Sequence, residues 1–178
     1  DVLAMIRLEK FTADDFELFI SWMDTEKFMY QFGGASFTFP VTVEQLSNYI
    51  ADATHRIYRV VDAVTDKVIG HASISHLNVK NKSARLCRIL IANEQDRSKG
   101  YGRQLIRALL KICFDELVLH RVDLGVFEFN KAAIRCYQSC GFRIEGTLRE
   151  SFAIDDEYYS VHNMSILDRE YATLTTSN

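Results

Sequence analysis

One run of basic residues and glycines has the composition of a phosphate-binding turn: Arg97-Ser98-Lys99-Gly100-Tyr101-Gly102-Arg103. It follows an apolar stretch typical of a strand, residues 86–92, and precedes a stretch with helical periodicity, residues 104–117. The free N–H groups of a first helical turn converge on one point, where the helix dipole adds partial positive charge. The two glycines would let a phosphate approach the backbone, and Lys99 and Arg103 add charge beside it. The run therefore predicts a pyrophosphate site between a strand and a helix.

The run differs from the common nucleotide-binding loops. The chain has no G-x-x-x-x-G-K-[ST] sequence, and Leu105 stands where G-x-G-x-x-G requires a third glycine. Residues 97–102 do match [Q/R]-x-x-G-x-[G/A], the pattern by which GNAT N-acetyltransferases bind the pyrophosphate of acetyl-CoA. Taken alone, this short pattern also describes an ordinary tight turn.

A second motif stands in the order that the same superfamily requires. Residues 130–142, NKAAIRCYQSCGF, resemble the N-x-x-A-I-x-x-Y-x-x-x-G-F segment of GNAT enzymes, and they follow a strand-like run at residues 121–127. The remainder resembles the branch that contains spermidine N-acetyltransferases and Rim-type ribosomal-protein N-terminal acetyltransferases. Its marks are an opening strand at residues 6–8, a first helix containing Trp22, and a closing hairpin around residues 154–158. By these motifs the chain is identified as a member of the GNAT superfamily.

The resemblance implies a single α/β domain over residues 1–178, with a mixed, mostly antiparallel sheet of six or seven strands and helices on both faces. Hydrophobic periodicity predicts helices after Thr12 and at residues 42–53, 104–117 and 131–139. It predicts strands at residues 5–9, 56–61, 68–77, 84–93, 121–127, 142–154 and 157–167, with turns at 65–67 and 155–156. Residues 27–40 are expected to be irregular.

Composition excludes several classes of protein. A net charge of −3 argues against a nucleic-acid binder that neutralises phosphates, and no apolar run reaches the ~18 residues that span a bilayer. The four cysteines form no C-x-x-C pair, so we expect reduced thiols in a cytoplasmic protein. A metal site is not expected, because His71 and His76 would point to opposite faces of one strand. Expected partners are acetyl-CoA and a small-molecule or peptide amine acceptor, with a homodimer as an open alternative to a monomer.

The resemblance also assigns roles to particular residues. The backbone of Leu90, Ile91 and Ala92 would pair with the pantetheine arm, and Asn130 would contact CoA or cap the following helix. Tyr137 would protonate the departing sulfur in an acetyl transfer by direct attack. A phenol with a pKa near ~10 keeps its proton at neutral pH until a thiolate with a conjugate-acid pKa near ~8.5 appears.

The general base and the acceptor are less defined. Residues 84–89 carry no acid, although some relatives have a glutamate on this strand. Other acids remain candidates for the base: Asp24, Glu26, Glu128, Asp155, Asp156 and Glu157. The acids are scattered, so we expect an α-amine acceptor in preference to a polyamine, which several carboxylates would have to surround. A polyamine acetyltransferase and a non-catalytic acyl-CoA sensor remain the alternatives. The aromatic residues at 28–39 are expected either to wall the acceptor pocket or only to cover the core.

Overall fold

In a computed structural model, which describes residues 5–97 and 99–176, seven strands form one sheet. The strands are β1 (Ile6–Lys10), β2 (Arg56–Asp62), β3 (Val68–Asn78), β4 (Ser83–Ile91), β5 (Arg121–Phe127), β6 (Arg143–Ile154) and β7 (Glu157–Leu167). Their order is β1-β2-β3-β4-β5-β7-β6, and all neighbours are antiparallel except β4 and β5, which are parallel. The predicted mixed, mostly antiparallel sheet is confirmed.

Helices cover both faces of the sheet, as predicted. They are α1 (Phe16–Trp22), α2 (Glu26–Gly33), α3 (Val43–Ala51), α4 (Glu94–Arg97), α5 (Tyr101–Lys111), α6 (Lys131–Ser139) and α7 (Asp168–Thr176). The first three pack around one apolar cluster that includes Phe19 and Leu46, whereas α5 and α6 pack into a second cluster that includes Leu105 and Ile134. No helix in the described part of the chain is long and apolar enough to cross a membrane.

Three segments differ from the sequence-based expectation. Within the supposedly irregular residues 27–40, α2 forms because the Thr25 hydroxyl accepts the Phe28 N–H at 3.2 Å and Met29 is fully buried. The helix predicted at residues 104–117 begins at Tyr101 and continues beyond Lys111 as a π-helical turn, Ile112–Glu116. Helix α7 was not predicted, since none of its residues is buried and its sequence gives no apolar stripe.

Strands β4 and β5 form a fork. They pair over only three residues each, Ser83–Arg85 with Arg121–Asp123, and then separate. The Arg85 guanidinium fills the base of the fork, where it donates to Asp123 at 2.9 Å and to Asn163 at 2.8 Å. A Cβ on Gly125 would lie 2.7 Å from that guanidinium, so a larger residue there would displace the Arg85 side chain. Beyond this point the two strands leave backbone groups for another partner.

A β-bulge interrupts β4 inside the fork. Arg88 has a φ of +52°, and residues 88 and 89 together oppose the single residue Ala72 of β3. Two buried side chains of β3 hydrogen-bond the displaced carbonyls: His71 Nδ1 donates to Arg88 O at 2.9 Å, and Ser73 Oγ donates to Cys87 O at 3.1 Å. Burial lowers the pKa of His71 to about 4, so the imidazole is neutral and holds the bulge in one position.

Candidate active site

A cavity of about 810 Å³ lies between the α2–α3 side of the molecule and the fork. Two residues to which the resemblance assigns roles, Tyr137 and Asn130, line it together with the bulge of β4 and with Phe127 of β5. Tyr30, Phe32 and Phe37, from the aromatic segment at residues 28–39, also line it. The predicted pyrophosphate turn and Leu90, Ile91 and Ala92 are not among its lining residues. The structure therefore brings Tyr137 to the fork and places the predicted phosphate site outside this cavity.

Tyr137 lies in α6 with 9% of its surface exposed. Burial, and secondarily the neighbouring thiols of Cys136 and Cys140, raise the pKa of its phenol above the ordinary value. No residue of the described chain hydrogen-bonds this hydroxyl. A neutral phenol on a cavity wall without a protein partner can donate its proton to a bound ligand.

Asn130 is the N-cap of α6, because its side-chain oxygen accepts the Ala133 N–H at 3.2 Å. The same side chain lines the cavity. Its first function is to fix the start of the helix that carries Tyr137.

Of Leu90, Ile91 and Ala92, whose backbone is expected to bind the co-substrate, Ile91 directs its backbone groups toward the fork. Ala92 N–H donates to Ile69 O of β3 at 2.9 Å, so the adjacent Ile91 directs its backbone to the opposite edge. The Arg97 side chain donates through Nε to Ile91 O and through Nη2 to Ala92 O, each at 2.9 Å. The Arg97 side chain therefore holds the strand end, and its expected contact with the co-substrate stays a prediction.

The predicted phosphate turn begins α5. Gly100 is the N-cap, with a φ of +83° that favours glycine, and Gln104 N–H donates to its carbonyl as the first helical bond. The three preceding amides, at residues 101–103, have no partner within the helix. Lys99 pairs with Asp96 at 3.0 Å and Arg103 is exposed, so both cations lie beside those amides. Ser98 lies outside the described residues.

Tyr101 anchors this turn to the sheet. Its buried hydroxyl donates to Asp62 Oδ2 at 2.7 Å, and the backbone N–H groups of Val64 and Thr65 donate to Asp62 Oδ1 at 2.8 and 3.0 Å. These hydrogen bonds lower the pKa of Asp62 to about 2. The Tyr101 side chain, expected to contact the co-substrate, is therefore used to position the turn.

Asp62→Asn should lower the melting temperature at pH 7, since the stabilising carboxylate is lost. The folded pKa of Asp62 lies below its unfolded value, so its contribution is complete above about pH 4 and disappears as pH falls towards 2. The difference in melting temperature between wild type and variant should therefore shrink over that range. Thermal melts from pH 7 to pH 2.5 measure it, with the exposed Asp156→Asn as control. A difference that is constant with pH would contradict this role of Asp62.

Two cavity residues were not singled out from the sequence. Arg88 is 8% exposed, its guanidinium carbon lies 4.4 Å from the Tyr49 ring centre, and its Nη1 donates to Ser36 Oγ at 3.3 Å. His55 pairs through Nε2 with Asp52 at 3.2 Å, and burial, then the charge of Arg88, lower the pKa of His55. A lone arginine inside the apolar run 86–92 is the signal that could have found Arg88.

The six acids proposed as a general base lie elsewhere. Asp52 is the one carboxylate of the described chain that lines the cavity, and it is held by Thr54 and His55. Nor do the described residues contain a group of three or more His, Cys, Asp or Glu side chains placed to hold a metal ion.

Comparison with known proteins agrees with this geometry. The profile of the acetyltransferase (GNAT) family matches residues 18–142. Spermidine N(1)-acetyltransferase of Vibrio cholerae is 37% identical over 130 residues, which are 72% of this chain and 73% of that protein. The L-amino acid N-acetyltransferase AaaT of Escherichia coli is 27% identical over 109 residues, covering 61% and 67%. The structure of the Vibrio cholerae spermidine enzyme in complex with CoA and spermine superimposes with a TM-score of 0.82 at 28% identity, covering 94% and 98%.

Proposed function

This chain belongs to the acetyltransferase (GNAT) family, and from that premise we propose that it transfers the acetyl group of acetyl-CoA to a primary α-amine by direct attack in a ternary complex. The observation that carries the proposal is the position of Tyr137, a buried neutral phenol on the wall of the cavity at the β4–β5 fork. A thioester placed in the fork would present its sulfur to this wall. The structural relative that binds CoA supports the choice of donor.

We assign the pantetheine arm to the gap of the fork. The backbone of Ile91 faces this gap without a strand partner, and an extended amide-containing chain is the ligand that such an edge would pair with. Leu90 and Ala92 shape the same strand end. The pyrophosphate would lie on the free amides at residues 101–103, where Gly102 has no side chain to hinder its approach. Helix α5, which begins at the phosphate turn, lies close to α6, which carries Tyr137: a Cβ on Gly102 would lie 3.7 Å from Cys136 Sγ. The expected pyrophosphate site and the proposed acid are therefore carried by neighbouring helices.

The chemistry requires one proton to leave the amine and one to reach the sulfur. The amine nitrogen attacks the thioester carbonyl carbon, the C–S bond breaks, and the Tyr137 hydroxyl gives its proton to the departing thiolate. An α-amine with a pKa near 8 costs about 1.4 kcal/mol to deprotonate at pH 7, against about 4.6 kcal/mol for a lysine-like amine. Water can accept the proton of an α-amine at this cost, so the mechanism requires no strong base in the cavity.

A polyamine acceptor is the second candidate, favoured by the name of the Vibrio cholerae relative. The cavity offers a polyamine little, because Asp52 is the one acid on its wall among the described residues and His55 and Thr54 already hold it. We also propose a cytoplasmic, self-associating enzyme. All four cysteines are free, and a solved relative of the spermidine branch is dodecameric.

An acceptor panel tests the proposal. Release of free CoA thiol from acetyl-CoA should show kcat/KM for the preferred α-amine at least about tenfold above that for spermidine at pH 7.5. The panel contains free amino acids, peptides with free N-termini, an aminoglycoside and spermidine. A spermidine value more than tenfold above every α-amine would establish the polyamine alternative. Binding of acetyl-CoA without thiol release for any amine would point to the sensor.

A further inference from the structure

Arg88 is the one cation on the cavity wall without a carboxylate partner among the described residues. Its Nε–H is buried with no hydrogen-bond acceptor, and the single hydrogen bond of its guanidinium goes to the neutral Ser36 hydroxyl. A buried guanidinium normally pairs with an acid, since it presents several N–H donors in a fork that fits a carboxylate. The buried Nε–H marks the guanidinium as incompletely satisfied, and the terminal N–H groups that do not bond Ser36 are left for a ligand.

The fold holds this side chain in place. Arg88 occupies the left-handed position of the β4 bulge, and His71 fixes its carbonyl. The guanidinium stacks against Tyr49 and lies 5.8 Å from the Phe37 ring centre. A cation positioned by a bulge, a buried imidazole and two aromatic rings is preorganised to bind an anion.

The other charged groups on the wall already have partners. Arg85 pairs with Asp123, and Asp52 pairs with His55. Burial and the charge of Arg88 lower the pKa of His55, so this ring adds no second cation at neutral pH. Asp52 and Arg88 therefore carry opposite single charges on this wall, but Thr54 and His55 already hold Asp52, whereas Arg88 has no carboxylate partner and can attract an anionic group.

Arg88 stands on the acceptor side of the cavity. Tyr49 and Phe37 belong to the apolar cluster of α1–α3, whereas Tyr137 belongs to the cluster packed around α5 and α6. Both clusters contribute walls to the one cavity. An anion bound by Arg88 would thus lie across the cavity from the acid that serves the leaving sulfur.

We propose that the acceptor is a small amine that carries a carboxylate, an α-amino acid being the simplest, and that Arg88 binds this carboxylate. The inference rests on the proposed function and narrows its acceptor. In an α-amino acid the amine and the carboxylate share one carbon, so a carboxylate fixed on Arg88 holds the amine at a fixed place in the cavity. Phe127 and Phe152, whose ring centres are 5.3 Å apart, add an apolar wall that suits a hydrophobic side chain.

The first comparison uses wild-type enzyme with phenylalanine and phenylalaninamide. The amide has the same amine and ring but no carboxylate, and its amine loses a proton more easily. Loss of a charged hydrogen-bonded pair should make kcat/KM for the acid exceed that for the amide by about 30-fold or more, against the order of amine basicity. Equal values, or a higher value for the amide or spermidine, would overturn the inference and leave the acetyltransferase proposal standing. Absence of turnover with every amine would count against the acetyltransferase proposal.

The second comparison uses Arg88→Met, which keeps an unbranched apolar stem and removes the guanidinium and its charge. The acid-to-amide ratio should collapse to about one, through a higher KM for phenylalanine, while the KM for acetyl-CoA stays unchanged. Arg88→Lys should recover part of the ratio, because it restores charge without the fork. The exposed Arg107→Met is the matched control and should keep the wild-type ratio. If folded Arg88→Met keeps the wild-type ratio of kcat/KM for phenylalanine to that for phenylalaninamide, Arg88 does not bind the acceptor.

Thermal stability separates a ligand-binding role from a structural one. Removing an unpaired buried charge should leave the melting temperature of unliganded Arg88→Met equal to that of the wild type or above it. A structural arginine would give a lower one. Calorimetric titration of phenylalanine into CoA-loaded wild type should show binding that phenylalaninamide does not compete for. If Arg88→Met fails to fold, this titration decides, and failure of phenylalanine to bind would overturn the inference.

Discussion

Gly102→Asp will fold and will lose its affinity for acetyl-CoA. The new Cβ finds ordinary contact at 3.7 Å from Cys136 Sγ, and Gly102 does not require a left-handed φ, so the chain accepts a side chain there. The aspartate carboxylate, however, would occupy the free amides at the start of α5 and repel a pyrophosphate. At one hundred times its Kd, acetyl-CoA stabilises the wild type by about 2.7 kcal/mol, equivalent to about 5–10 °C in Tm. The variant should show no such shift.

Gly102→Ala is the control for this experiment. It adds the Cβ without the charge, and alanine is allowed at this position of the [Q/R]-x-x-G-x-[G/A] pattern, so it should keep most of the shift. Near-equal melting temperatures of the three unliganded proteins would establish that they fold alike. A wild-type shift in folded Gly102→Asp would remove the pyrophosphate from the start of α5.

Tyr137→Phe should lower kcat by about 100-fold, the lower part of the range for loss of a positioned acid. The substitution keeps the buried ring and removes a hydroxyl that no described protein group hydrogen-bonds, so the fold should tolerate it. The KM for acetyl-CoA should change less than about threefold, because the hydroxyl acts as charge develops on the sulfur. Thiol release measured at saturating acceptor gives both constants.

The pH profile adds a test of the same hydroxyl. Burial raises the pKa of Tyr137, so its ionisation should not lower kcat of the wild type up to pH 9. The exposed Tyr158→Phe should behave as the wild type throughout. Equal kcat for Tyr137→Phe and wild type from pH 6 to pH 9 would exclude Tyr137 from the mechanism.

Local patterns allowed the predictions that succeeded. The two motifs at residues 97–103 and 130–142 fix short backbone geometries, a glycine N-cap and an asparagine N-cap, which depend on neighbours in the chain. The mixed, mostly antiparallel sheet of six or seven strands followed from the resemblance that those motifs established. Local hydrophobic periodicity placed most strands within one or two residues of their observed bounds.

The residues that the sequence did not reveal depend on distant contacts. In the sequence, Arg88 is one cation within an apolar strand. In the structure, a bulge held by His71 of β3 places its guanidinium against Tyr49. Arg97 and Tyr101 are expected to be ligand residues because they stand in the motif, and the structure adds that their side chains bond the end of β4 and Asp62. Only the folded chain shows which backbone carbonyl or carboxylate lies within their reach.

The fork between β4 and β5 divides the sheet into two parts, β1–β4 and β5–β7, that are joined over a short length. Three residue pairs join these two parts, and beyond those pairs β4 and β5 are no longer paired. A pantetheine arm lying in that opening would connect the two parts, since it would hydrogen-bond one part while it packs on the other. Bound acetyl-CoA would thus link the two parts of the sheet where, in a continuous sheet, backbone hydrogen bonds between strands would link them. We therefore expect the sheet to be stiffer while CoA is bound and more easily deformed each time CoA leaves.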